Sequence, residues 1–247
     1  MSPIRFAIVE DEQLYLDDRC ENLEALKDDC DIEVVIKAHN AEEFFAEYNK
    51  NPDNVDALIL DIDLTGSYTG LQIAEKIRKP SLFVSGYNAK YLNNIEDLSD
   101  RIDVVMHISK PMSDEKFKNK VRSFCNEIRL HQFHNQMLTF KRNGLPVKIY
   151  ARDIVFLESV SDGSNNKMIY FKKDKPLKLN DFTFSRIAEW SLSSVSIVQV
   201  SKSCYVNKEH IEKGKEQKEI KVSCMDDDGK MVTKTLVVSP NYIKNIR

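Results

Sequence analysis

A chain of 247 residues with 42% hydrophobic and 30% charged side chains can bury a real core and still stay in water, which suits two ordinary globular domains or one large one. Seven glycines and seven prolines exclude collagen-like and low-complexity architectures, and five scattered cysteines without a CxxC exclude a disulfide framework or zinc site in favour of reduced thiols. The net charge of −3 hides an asymmetry: residues 1–120 hold 14 basic and 25 acidic side chains (net −11), whereas 121–247 hold 22 and 14 (net +8), so two domains with different partners are expected.

The amino terminus places Arg5 inside its first apolar run and acids directly after it, which is not a signal-peptide pattern. No apolar run approaches the roughly 20 residues that cross a bilayer. A cytoplasmic protein without membrane insertion is expected. Strand-like runs follow at Ile4–Val9, Ile32–Ala38, Ala57–Leu60, Leu82–Ser85 and Val104–Ile108. Between them, residues 12–29 (Leu16, Cys20, Leu23, Leu26), 41–50 (Phe44, Phe45, Tyr48) and 70–78 (Leu71, Ala74, Ile77) carry helical spacing. Alternating strands and helices predict βαβ crossovers and a five-stranded parallel sheet covered on both faces, a doubly wound α/β domain. Ser113 is a predicted N-cap for a long helix with Phe117, Val121, Phe124 and Ile128 on one stripe, running to about Met137 and doubling as a linker. From Leu138 the pattern turns to period two. Strands are predicted over 147–150, 153–160, 167–173, 177–179, 196–206, 219–225 and 234–239, with a hairpin turn at Asp226-Asp227-Asp228-Gly229. Only Phe182–Leu192, with Ile187, Ala188 and Trp190, looks helical. The second domain, residues 138–247, is therefore expected to be mostly antiparallel β, and the first to span 1–135.

Chemistry concentrates at the strand ends. The first strand ends in Glu10-Asp11-Glu12 and the third in Asp61-Ile62-Asp63, and open α/β sheets bind ligands at that carboxyl edge. Clustered carboxylates are hard to keep ionised together without a cation, and all-oxygen donors favour a hard ion such as Mg²⁺. A carboxylate can attack phosphorus to form an acyl phosphate, and the transferring group then needs cations and donors around it. Ser85-Gly86 and Ser109-Lys110-Pro111 end the fourth and fifth strands and offer a hydroxyl and an ammonium. Any one such residue is commonly a loop residue or a helix cap. The whole set, in this order, points to a phosphoryl acceptor.

Glu10-Asp11, Asp61, Ser85 and Lys110-Pro111 resemble the receiver domain of bacterial two-component response regulators, over about residues 3–135. The resemblance implies a flavodoxin-like fold with Asp61 as phosphoacceptor. It also implies Mg²⁺ held by Glu10, Asp11, Asp61 and the backbone carbonyl of Asp63, with Ser85 and Lys110 on the phosphoryl oxygens. His107 stands where receivers often carry an aromatic switch residue; an ordinary partly buried strand histidine is the alternative. The loop Leu64–Gly70 is longer than usual and lacks the common proline, and residues 86–103 match loosely.

Over about residues 138–247 the chain resembles the LytTR DNA-binding domain. The stretches that match are 153–159 (Asp-Ile-Val-Phe-Leu-Glu-Ser), 197–207 and 236–239. The resemblance implies loops presented to double-stranded DNA, with Asn165, Asn166 and Lys167, then Ser201 and Lys202, then Asn241 at the contact positions. Lysine and asparagine stand where arginine is common, so phosphate contacts and salt dependence should dominate. Asn166 and Asn241 have turn roles as alternatives. The combined expectation is a non-enzymatic transcription regulator, phosphorylated by a sensor histidine kinase and dimerising when phosphorylated. Two alternatives stand beside it. Asp61-Ile62-Asp63-Leu64-Thr65 also fits the DxDxT opening of haloacid-dehalogenase-type phosphatases, although a whole βαβα unit precedes it. A receiver whose β domain binds protein instead of DNA is the other.

Overall fold

Five runs in the first half form strands: β1 (Ile4–Val9), β2 (Ile32–Ala38), β3 (Ala57–Leu60), β4 (Ser81–Gly86) and β5 (Val105–Lys110); β1, β3 and most of β4 are buried, whereas β2 and β5 are partly exposed. They pair in parallel in the order β2-β1-β3-β4-β5. The structure is a computed structural model that describes residues 2–86, 91–142, 144–160, 166–180, 182–185, 187, 196–212 and 218–246. The chain divides into two units, Met1–His131 and Gln132–Arg247.

In the first unit, period-two alternation feeds two cores, one on each face of the sheet. Phe6 and Ile8 of β1, Ile59 of β3 and Leu82 and Val84 of β4 face one core; Ala7, Val9, Leu58, Leu60 and Phe83 face the other. Helices α1 (Gln13–Glu24) and α6 (Asp114–Asn135) cover the first face through Leu16, Leu23, Phe117, Val121, Phe124 and Ile128. Helices α3 (Ala41–Tyr48), α4 (Gly70–Ile77) and α5 (Leu92–Ser99) cover the second through Phe44, Ile73, Ala74, Ile95 and Leu98. The helix expected over 12–29 is broken. α1 stops at Glu24 and a one-turn α2 (Lys27–Cys30) follows, closed by Asp31 in a left-handed conformation at φ 47°. α6 starts on the Ser113 cap, whose Oγ accepts from the Lys116 amide at 3.3 Å.

α6 ends at Asn135, and Met137, expected at the end of the helix, instead opens β6 (Met137–Arg142). β6 pairs with β7 (Leu145–Tyr150) as a hairpin. The main sheet of the second unit runs β10-β9-β8-β12-β11, where β8 is Ile154–Ser159, β9 Lys167–Phe171, β10 Leu177–Leu179, β11 Ile197–Ser201 and β12 Cys204–Asn207. Every pair in it is antiparallel. The single strand expected over 196–206 is thus two strands joined by Lys202-Ser203. A three-stranded sheet holds β13 (Ile211–Glu212), β14 (Glu219–Met225) and β15 (Met231–Val237), with Gly229 turning β14 into β15 at φ +80°. Of the helix expected over 182–192, Ala188 and Trp190 lie outside the described residues. All five cysteines are free thiols and four are buried. Burial pushes the Cys125 and Cys204 thiols up to about 12. Among the described residues, no helix is long and apolar enough to cross a membrane.

Candidate functional site

β1 pairs with β2 on one side and β3 on the other, so the winding reverses between β1 and β3 and leaves a crevice beyond their carboxyl ends. Val9 and Leu60 are register partners, which sets Glu10 beside Asp61; the Asp61 amide donates to the Val9 carbonyl at 2.9 Å. Oxygens of Glu10, Asp11 and Asp61 all lie within 4.8 Å of one another. Glu10 is fully buried and Asp61 is 7% exposed, whereas Asp11 is half-buried. Two adjacent strand ends thus supply three carboxylates and no sulfur or imidazole, a donor set that fits a hard divalent cation such as Mg²⁺.

Lys110, joined to Pro111 by a cis peptide bond, reaches across from the end of β5. Its Nζ donates to Asp61 Oδ2 at 2.7 Å and to Glu10 Oε2 and Oε1 at 3.1 and 3.3 Å. The Tyr15 ring lies 4.7 Å from the same ammonium. Ser85, opposite Ser109 in register, is half-buried at the end of β4, and its Oγ donates to the Gly86 carbonyl at 3.2 Å. A Cβ at Gly86 would meet nothing within 4 Å among the described residues.

The loop after Asp61 is fitted to this edge. The Thr65 amide donates to Asp11 Oδ2 at 3.1 Å. Thr69 and Gln72 form a capping box that starts α4. The first residue of α4, Gly70, comes so close to β3 that a Cβ there would stand 2.0 Å from the Asp61 carbonyl oxygen. Asp63 is exposed and its carboxylate accepts the Tyr91 hydroxyl; that bond holds the Tyr91 phenol above its usual range. The Asp63 carboxylate is outside the cluster of carboxylate oxygens. His107 lies on the edge strand β5, beside Phe83, and is exposed where a partly buried histidine was the alternative.

Sequence reasoning missed Arg19. It is 2% exposed on α1, and Nη1 meets the Glu10 carboxylate. Burial lowers its guanidinium to about 10 against the opposing pull of Asp61, which leaves it charged at neutral pH. Its spacing was the available signal: Leu16, Arg19 and Leu23 fall on one face of the helix.

In the second unit, three stretches converge at one end of the main sheet. The Ser159 amide donates to the Ser203 carbonyl at 2.8 Å, the Val160 amide to the Asn166 carbonyl at 3.2 Å, and the Ser239 amide to the Val200 carbonyl at 2.9 Å. Asn166, Ser201, Lys202 and Asn241 are thereby gathered, with Lys202 and Asn241 exposed and Asn166 and Ser201 half-buried. Lys167, expected at a DNA-contact position, is only 8% exposed because it shares the inward parity of Ile169 and Phe171. Its Nζ donates to the Asn166 carbonyl and lies 5.0 Å from the Phe184 ring centre. Asn165 lies outside the described residues.

No protein-family model matches the chain, and no curated protein matches its sequence. Solved structures similar to it include response regulator receiver domains. One is a CheY-like receiver domain protein from Methanospirillum hungatei JF-1, 25% identical, with 52% of this chain and 98% of that chain covered and a TM-score of 0.42. Another is a receiver domain protein from Clostridium thermocellum, 17% identical, with 53% and 98% covered and a TM-score of 0.42. A third is a two component transcriptional regulator AraC from Clostridium phytofermentans ISDg, 21% identical, with 52% and 98% covered and a TM-score of 0.41.

Proposed function

We propose that this chain is a phosphorylation-dependent transcription regulator of a two-component system, with a receiver in residues 1–135 and a LytTR-type DNA-binding domain in 138–247. The observation that carries the proposal is the Lys110 ammonium bridging Asp61 and Glu10 beside Asp11, at the point where the sheet reverses its winding. In this reading an Asp61 oxygen forms a bond to phosphorus as the P–N bond of a sensor kinase's phosphohistidine breaks. The electron pair leaves on the imidazole nitrogen, which takes up a proton. Lys110 releases its bond to Asp61 Oδ2 and pairs with the phosphoryl oxygens, and Ser85 turns its hydroxyl from the Gly86 carbonyl toward the same group. Mg²⁺ held by Glu10, Asp11, Asp61 and the Asp63 carbonyl would supply positive charge against the transferring group. The added charge of roughly −1.5 to −2 biases the receiver between two states, with His107 as the proposed switch residue, and promotes a homodimer.

Duplex DNA is the proposed partner of the end of the second unit where Asn166, Ser201, Lys202 and Asn241 gather, in keeping with the net charge of +8 in residues 121–247. Against the phosphatase alternative, the cluster draws its other two carboxylates, Glu10 and Asp11, from the end of β1, upstream of Asp61, and leaves the Asp63 carboxylate on Tyr91. The test is incubation of the full chain with acetyl phosphate and Mg²⁺. A labile phosphoryl adduct on Asp61, absent in Asp61→Asn, with a rise in duplex affinity, is expected. No adduct on the wild-type chain refutes the receiver. An adduct with no duplex binding at low salt refutes the DNA-binding half and favours a protein partner.

A further inference from the structure

Arg19 is a buried cation in a place where the fold calls for an apolar side chain. Leu16 and Leu23, on the same face of α1, belong to the core beneath the sheet. A leucine or methionine at position 19 would continue that stripe. Replacing buried ions with apolar groups of similar volume is often neutral or stabilising, so packing does not explain an arginine here. Its Nη1 meets the Glu10 carboxylate directly. The guanidinium thus brings a positive charge against Glu10 at the base of the pocket, and the Asp61 carboxylate also acts on it. With Arg19 and Lys110 present, the three clustered carboxylates sum to a formal charge of −1.

We propose that Arg19 is a positioning residue that acts through Glu10: a built-in cation that keeps the acidic edge assembled without a metal and weakens the pull of that edge on a divalent ion. The inference rests on the proposed Mg²⁺ site. Arg19 and a bound cation draw on the same carboxylate charge. Removing the guanidinium should therefore tighten metal binding while it loosens the metal-free protein. A residue with only a packing role would lower stability and leave metal affinity where it was.

The experiment titrates Mg²⁺ alone into the full chain by calorimetry and records the melting temperature with and without Mg²⁺. Arg19→Met is expected to bind Mg²⁺ at least about tenfold more tightly than the wild type, and Arg19→Lys, which keeps the charge, to stay within about threefold. Without metal, Arg19→Met should melt lower than the wild type, and saturating Mg²⁺ should raise its melting point by more. Equal or weaker binding in Arg19→Met overturns the proposal. If that variant folds only with Mg²⁺, its affinity is read by competition with a chelator, and such metal-dependent folding supports the proposal. If neither it nor Arg19→Gln folds at saturating Mg²⁺, the metal cannot stand in for the guanidinium and the proposal fails. The failures are distinguishable: equal binding by all variants sinks only the role of Arg19, whereas no binding by any of them sinks the metal site as well.

Discussion

An alanine at Gly70 would bring a methyl carbon to 2.0 Å from the Asp61 carbonyl oxygen and 2.9 Å from its carbonyl carbon. Both neighbours are backbone, so no side chain can swing aside. The Gly70 amide also donates to the Ile62 carbonyl at 3.1 Å, which ties the start of α4 to the chain leaving β3. Relief requires moving one element against the other, and overpacking of this kind costs about 3 kcal/mol at the upper end of its usual range. Alanine returns at most about 1 kcal/mol through its better helix propensity, less at the first helical position. The net expectation is about 2 kcal/mol of destabilisation, or about 6–10 °C in the melting temperature of a unit this size. Urea unfolding of the full chain, followed by circular dichroism in the helical band, measures it; the helices are concentrated in the first unit. The same shift displaces Asp61 from Lys110, so phosphorylation by acetyl phosphate should slow as well. A Gly70→Ala protein within about 0.5 kcal/mol of the wild type would show that α4 accommodates a side chain here and that the close approach is not a constraint.

Lys110→Met removes the ammonium that contacts Asp61 and Glu10, and the initial rate of adduct formation on Asp61 should fall about a hundredfold; a change within about threefold would exclude Lys110 from the transfer. Burial alone would raise the Asp56 carboxyl, but hydrogen bonds from Arg5 Nε at 2.9 Å and Nη2 at 3.0 Å outweigh it and lower the pKa. That contribution is fully present above the unfolded value of about 4 and is lost as pH falls through the lower folded value. Asp56→Asn should therefore flatten the acid limb of stability by at most about 1 kcal/mol for a pair this exposed, as read from denaturant midpoints at neutral and acidic pH. Lys202→Ala should reduce the slope of log affinity for duplex DNA against log salt by about one unit; an unchanged slope would remove Lys202 from the phosphate contacts.

Four of the five parallel strands were legible as short apolar runs ended by charge or by glycine, and β2, which carries Glu33 and Lys37, was legible by its β-branched residues. Glu10, Asp11, Asp61 and Lys110 come together because they end strands that are neighbours or near neighbours in one sheet, a placement that follows from topology without knowledge of contacts. What stayed hidden depends on parity and close approach. Lys167 looked like a loop cation, but its parity with Ile169 and Phe171 turns it inward. Leu138 and Phe140 are buried in β6 by the same period of two, masked by a helical pattern that runs up to Met137. Tyr91 reaches Asp63 from the start of α5, across a segment with no periodic signal of its own.

Exposure sorts the charges of the pocket into two layers with different physics. Glu10 and Arg19 have almost no contact with water and face each other, with Lys110 also on Glu10 and the Asp61 charge also acting on Arg19. Asp11 is half-buried and Asp61 lies just inside the surface, so both keep access to solvent or an arriving ion. The inner layer thus neutralises itself within the fold. The unbalanced negative charge sits on the outer layer, at the mouth of the crevice, where a cation or phosphoryl group would approach. Among the described residues, Lys110 is the one side chain hydrogen-bonded to both layers, with Glu10 behind it and Asp61 in front. A new anion on Asp61 would therefore act first on Lys110 and through it on Glu10 and Arg19. A charge added at Asp61 would in this way reach Arg19, in the middle of α1, through ion pairs.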